Sequence, residues 1–269
     1  MFKATLCALG LLAASSTMAH ELMIMPAKSI ITEAPASVAV DISASHGVFR
    51  FDKPVGADNI NVYGANGKRI RNIGTVVKSA SRTSFDLPID ENGTYKIVYG
   101  GSEPMYMTTY TIGKRDTQKR LRGSLAQVQD LIPEDAKNIE TIKMSRYGMS
   151  FVTAKMPTEE VINPTNEGFE IIPVTHPADY INGEELEFQA LLDGEAVEGV
   201  EITVKAEAAL YNGELEPIKA TTDEDGMASI EIENAGRYAA TFGYQGENPG
   251  ADADKAFYTV FYTFEVVYE

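Results

Sequence analysis

The chain has 269 residues, 44% of them hydrophobic, enough for two domains with a core each. Its formal charge of −16 argues against nucleic acid and anionic lipid as partners; it suits cations, basic partners or simple solubility. The single cysteine, Cys7, lies near the start, so the rest of the chain has no thiol for a disulfide, a thiolate metal site or a covalent nucleophile.

Residues 1–19 read as a signal peptide. Lys3 supplies the charged start, Ala4 to Ala14 the apolar run and Thr17-Met18-Ala19 the small-residue cleavage site. That run is too short to span a bilayer and no later stretch approaches spanning length, so the expected location is periplasmic or secreted, without membrane insertion of the mature chain. Cleavage removes Lys3, takes the formal charge to −17 and leaves His20 first, with an α-amine and an imidazole on one residue.

Alternating strands follow. Ser37 to Ile42 and Asn59 to Tyr63 alternate apolar with polar residues, with turns at Ala65-Asn66-Gly67-Lys68 and Asp90-Glu91-Asn92-Gly93. Lys114 to Glu140 breaks the pattern: Leu121, Leu125, Val128 and Leu131 stand at roughly helical spacing, which predicts a helical segment near 114–136. Lys114, Arg115, Lys119, Arg120 and Arg122 form one basic cluster there, either a solvated face or a holder for an acidic partner or the second domain. Ile142 to Ala154 returns to strand, and residues 157–167 collect Pro, Asn, Thr and Gly as a linker. From Glu184 onward Leu186, Phe188 and Ala190 alternate, Asp193-Gly194 turns, and Val200, Ile202 and Val204 alternate again. Asp223-Glu224-Asp225-Gly226 resembles a calcium loop but lacks its further acidic positions, so it reads as a hairpin turn.

The two halves echo each other. Phe85 to Ile97 aligns with Ser229 to Ala240 once one residue is inserted: a strand, an Asn/Gly turn, then a strand that opens with Tyr95 or Tyr238. A tyrosine placed so can bury its ring and bond the chain behind it, a corner device of Ig-like sandwiches. The expected fold is all-β: two tandem Ig-like β-sandwich domains over residues 20–156 and 168–269, separately folded and antiparallel, with a short helical insertion between them.

Several motifs point to a family. His20-Glu21-Leu22-Met23-Ile24-Met25-Pro26, Ser45-His46-Gly47, Phe169 through Pro177, Leu191 through Val200 and Thr222 through Gly226 together resemble the exported NikM-like family, a bacterial periplasmic group linked with nickel and cobalt uptake. The resemblance implies a β-rich metal-handling protein that binds nickel, cobalt or copper and serves a membrane metal-uptake component. His20 matches the family's post-cleavage histidine and His46 its His-Gly after a strand. Two positions depart from the pattern: Glu21-Leu22-Met23 lacks the aromatic that commonly follows the first histidine, and His176 stands where the family often has asparagine or aspartate.

The chemistry of the residues supports His20 with His46. The amine and ring of one and the ring of the other give a three-nitrogen histidine brace, suited to Cu(II) or Ni(II). His176 is the third candidate metal ligand. Met23, Met25, Met105 and Met107 are thioether donors or core, and Glu21, Glu103 and Tyr106 are possible oxygen ligands. No phosphate loop, His-Glu-x-x-His, Gly-x-Ser-x-Gly or cysteine nucleophile is present, so the chain does not read as an enzyme. The main expectation is metal binding in support of uptake. Its alternative is a non-catalytic Ig-like interaction or surface-assembly module without metal, and a histidine-brace copper oxygenase is the minor alternative.

Overall fold

The computed structural model describes residues 20–100, 103–247, 250 and 252–268. The signal peptide read at 1–19 lies outside them, as does Cys7.

The first half supplies β1 (Glu21–Pro26), β2 (Ala36–Ser45), β3 (Ile60–Tyr63), β4 (Thr83–Ile89), β5 (Gly93–Gly100), β6 (Met105–Ile112), β7 (Thr117–Gly123), α1 (Leu125–Leu131) and β8 (Lys137–Ala154). Strands β1, β2 and β4 form one antiparallel sheet, with Ile24 opposite Ile42 and Val40 opposite Phe85. Alternation along β2 and β4 sends Val38, Val40, Ile42, Phe85 and Leu87 inward, where they meet Ile97 and Val152 of a second sheet.

The second half supplies β9 (Phe169–Pro173), β10 (Glu185–Leu192), β11 (Glu201–Ala206), β12 (Ile218–Thr221), β13 (Met227–Glu231), β14 (Gly236–Glu247) and β15 (Lys255–Val266). Strands β9, β10 and β13 make a third sheet, whose Ile171, Leu186, Phe188 and Ile230 face Ile202, Phe242, Val260 and Tyr262.

One long strand joins the halves. The early part of β8 pairs with β6 and its late part with β5, both antiparallel, while its other edge runs parallel to β15 from Ile142 opposite Lys255 to Met149 opposite Tyr262. A single sheet therefore continues from β12 through β11, β14, β15 and β8 to β5 and β3. Successive side chains of a strand point to opposite faces. Val152 and Ala154 enter the first core, Met149 and Phe151 the second, and on β15 Phe261 enters the first while Val260 and Tyr262 enter the second. The two sandwiches thus lie on opposite faces of a sheet they share. Strand β1 crosses β8 at Gly148, where Leu22 and Ile24 lie within ordinary van der Waals contact.

The all-β, tandem Ig-like architecture stands, with three corrections. The sandwiches are not separately folded antiparallel units, because residues 148–154 of β8 are buried on both faces, which requires a layer on each. The expected linker is packed, too: Val161 and Ile162 belong to the second core. Helix occupies only Leu125–Leu131 of the predicted 114–136, since Gly113 and Asp116 turn the chain with positive φ and return residues 117–123 as a strand against β6. Ser124 and Gln127 close a reciprocal capping box at the helix start, and Val128 is buried.

Both tyrosine corners are present. The Tyr95 hydroxyl donates to the Glu91 carbonyl at 3.0 Å and the Tyr238 hydroxyl to the Asn234 carbonyl at 2.6 Å. Asp223 to Gly226 is a turn, with Gly226 N–H bonded to the Asp223 carbonyl at 2.9 Å and Gly226 at φ +71°.

Candidate functional site

The register of β1 against β2 sets Glu21 opposite Ser45 and so brings the neighbouring His20 and His46 rings together, 4.2 Å between centroids. His46 is engaged by Asp52: its backbone N–H donates to Asp52 Oδ2 at 2.8 Å and its Nδ1 lies 3.0 Å from the same oxygen. These bonds, the backbone one foremost, hold the Asp52 carboxyl below the usual carboxylate range. His20 has a different setting. Its carbonyl accepts from Arg146 Nη2 at 2.8 Å, and its own Nε2 is buried without a hydrogen-bond partner. Burial lowers its pKa, and the charges of Lys53, His46 and Arg146 lower it further.

That setting overturns the metal-binding expectation. Among the described residues no group of three or more His, Cys, Asp or Glu side chains could hold a metal ion. The neighbours of the histidine pair are two cations, Lys53 and Arg146, which repel a divalent ion, and the Asp52 carboxylate is committed to His46. Nickel, cobalt and copper as cofactors, the metal ion and a membrane metal-uptake component as partners, and a transport role are withdrawn with it.

His176 is not beside the pair. It sits 8% exposed at the start of a short 3-10 turn, with Nδ1 accepting from Ala178 N–H at 3.0 Å and Nε2 bonded to Thr94 Oγ1 at 3.1 Å. Nδ1 accepts, so Nε2 carries the proton and donates to Thr94. Both ring nitrogens are used: Nδ1 caps the local turn, and Nε2 joins the second half to β5, where Thr94 also meets Thr153 at 3.2 Å. Two of the other proposed donors are engaged as well. Met23 is 1% exposed and its Sδ accepts from the Phe49 backbone, while Glu21 Oε1 pairs with Lys205 at 2.9 Å.

Charge is divided unevenly between the halves of the chain. Residues 168–269 carry 22 acidic and 4 basic side chains, a balance of −18, whereas residues 1–167 carry 17 and 19, a balance of +2. The five cations of the β6–β7 hairpin region, Lys114, Arg115, Lys119, Arg120 and Arg122, are exposed, and among the described residues none of them joins an ion pair. Among the described residues no ion pair ties them to the second sandwich. Strand β7 is an edge, paired with β6 alone. Helix α1 packs against the hairpin, one face of which carries the buried Tyr106, Thr108 and Tyr110 and the other Met105, Met107, Arg120 and Arg122. Arg146 and Lys53 carry no sequence signal, because β8 and the β2 edge bring them together only in the folded chain.

No curated protein matches the sequence. Among solved structures it is similar to native alpha-2-macroglobulin from Escherichia coli spanning domains MG0-NIE-MG1, at 10% identity over 88% of this chain and 95% of that one, TM-score 0.21. It is also similar to the D0-D1 domain of intimin, at 11% identity over 90% and 97%, TM-score 0.22. A tetra-tandem repeat in the extending region of a large adhesion protein gives 10% identity over 93% and 75%, TM-score 0.24. Scores this low carry no argument, and the architecture rests on the strands described above. The domain of unknown function DUF4198 matches residues 17–246, most of the sequence, and the chain belongs to that family.

Proposed function

We propose that this protein is an exported, non-catalytic Ig-like interaction module that works without metal and takes an acidic partner on its β6–β7 hairpin. One observation carries the reading: five exposed cations, none in an ion pair among the described residues, stand on a free-edged hairpin of a strongly acidic molecule. Unpaired charge of one sign on an exposed element steers and orients an oppositely charged partner. A sheet edge offers a row of backbone donors and acceptors to which an extended segment can add.

The test is a photo-crosslinking side chain placed at Gln118 on β7 or at Tyr211, an exposed residue of the second sandwich, in the producing cells. The expected result is a discrete conjugate from position 118, absent at 211, that disappears in high salt and when Arg120 and Arg122 are changed to Glu. No conjugate at 118, or one that survives the charge reversal, overturns the reading.

A further inference from the structure

A cavity of about 670 Å³ opens beside the histidine pair, between β1 and the β2 edge on one side and the early part of β8 on the other. Its charged walls are Lys53, Arg122 and Arg146, with a single carboxylate, Glu103, and the His20 ring. Its floor is apolar, formed by Met105 and Met144, which are cross-strand neighbours, and by Phe257 opposite Met144 on β15. The net charge of the walls is +2 with His20 neutral, on a molecule whose overall charge is −16.

Arg146 is the informative residue. Its guanidinium lies over the Phe261 ring, 5.5 Å from the centroid, and gives one N–H to the His20 carbonyl at 2.8 Å. A guanidinium has five N–H donors, and among the described residues Arg146 has no carboxylate within ion-pair distance. Burial lowers its pKa, the mark of a cation desolvated without a counter-charge. Beside it His20 Nε2 is buried and unpaired. Buried donors without partners are costly, and an anion seated here would satisfy both. A planar fork matches a carboxylate's two oxygens, and methionines pack against apolar bodies of varied shape.

We propose that this cavity binds a small organic carboxylate, its charged head on Arg146 and Lys53 with a hydrogen bond from His20, its apolar body on Met105, Met144 and Phe257. The cavity shares Arg122 with the hairpin, but the head group is assigned to Arg146 and Lys53, whose variants leave the hairpin cations in place, so the two readings are tested apart.

Titration calorimetry of the purified protein with octanoate tests it, with octan-1-ol and inorganic phosphate as probes lacking the head or the body. Octanoate is expected to bind at one site, and each control at least tenfold more weakly. Arg146→Gln should weaken octanoate at least tenfold and Arg146→Lys less. Lys53 is exposed, so Lys53→Gln leaves the packing intact and should weaken it about threefold or more. Absence of octanoate binding, octanol binding as well as octanoate, or octanoate affinity unchanged in Lys53→Gln and Arg146→Gln overturns the proposal. Phosphate binding as tightly as octanoate overturns the assignment of an apolar body.

Discussion

Glu265 ties the amino-terminal segment to the last strand. It accepts from the Ser29 backbone N–H at 3.0 Å, from the Ser29 hydroxyl and from Arg237 Nε at 3.2 Å. Burial pushes its carboxyl up, but the bonds from Ser29 and Arg237 outweigh that and hold it below the usual glutamate range. A depressed folded value means the stabilisation is complete above the unfolded value near about 4.3 and is lost as pH falls through the folded one. Glu265→Gln should therefore cost roughly 1.5–3 kcal/mol at neutral pH and flatten the acid limb of stability against pH, measured by urea unfolding from pH 7 to pH 3. His176→Ala should cost about 1–3 kcal/mol in the same assay, because Thr94 and the Ala178 N–H lose their buried partner. The tyrosine corners were legible in the sequence because the bond spans four residues. The role of His176 was not, since Thr94 lies 82 positions away.

At the scale of elements, the hairpin and α1 show where pattern reading succeeds and where it misleads. Leu125, Val128 and Leu131 do lie on a helix, but Leu121 belongs to β7, and its place in the apparent helical series comes from period-two and period-3.6 patterns coinciding over a few residues. The turn at Gly113 to Asp116 decides between them. Ser124→Ala removes the capping box that starts α1 and should cost about 1 kcal/mol, read as a lower urea midpoint with unchanged slope. Lys119, Arg120 and Arg122 also blunt the β7 edge against pairing with itself. Replacing the three with Thr should leave the fold intact yet produce concentration-dependent association, followed by light scattering.

For the molecule as a whole, the shared sheet couples the two cores. Phe151 is buried in one and Ile97 in the other, and both reach the same sheet through β8 and β5. Unfolding should be a single cooperative transition in calorimetry, with equal van't Hoff and calorimetric enthalpies. Phe151→Ala at roughly 3–5 kcal/mol and Ile97→Ala at roughly 2–5 kcal/mol should each lower that one midpoint instead of splitting it. Two domains of this class were legible from period-two runs and the repeated corner. Their fusion was not, because the parallel pairing joins Ile142 to Lys255, and nothing local marks strands so far apart as neighbours.

The seam where the chain looks divisible is not where the protein can be divided. A fragment beginning at residue 168 would keep β15 but lose β8, exposing the backbone edge from Lys255 to Tyr262 and removing Met149 and Phe151 from its interior. A fragment ending at residue 156 would lack Phe261. Neither half is a transplantable cassette. Expressed alone, each is expected to precipitate, and mixed from denaturant the two should complement one another into a soluble, noncovalent whole. Shuffling at the 157–167 boundary would be tolerated only where the incoming half brings its own substitute for β8, so these two sandwiches are inherited as a pair.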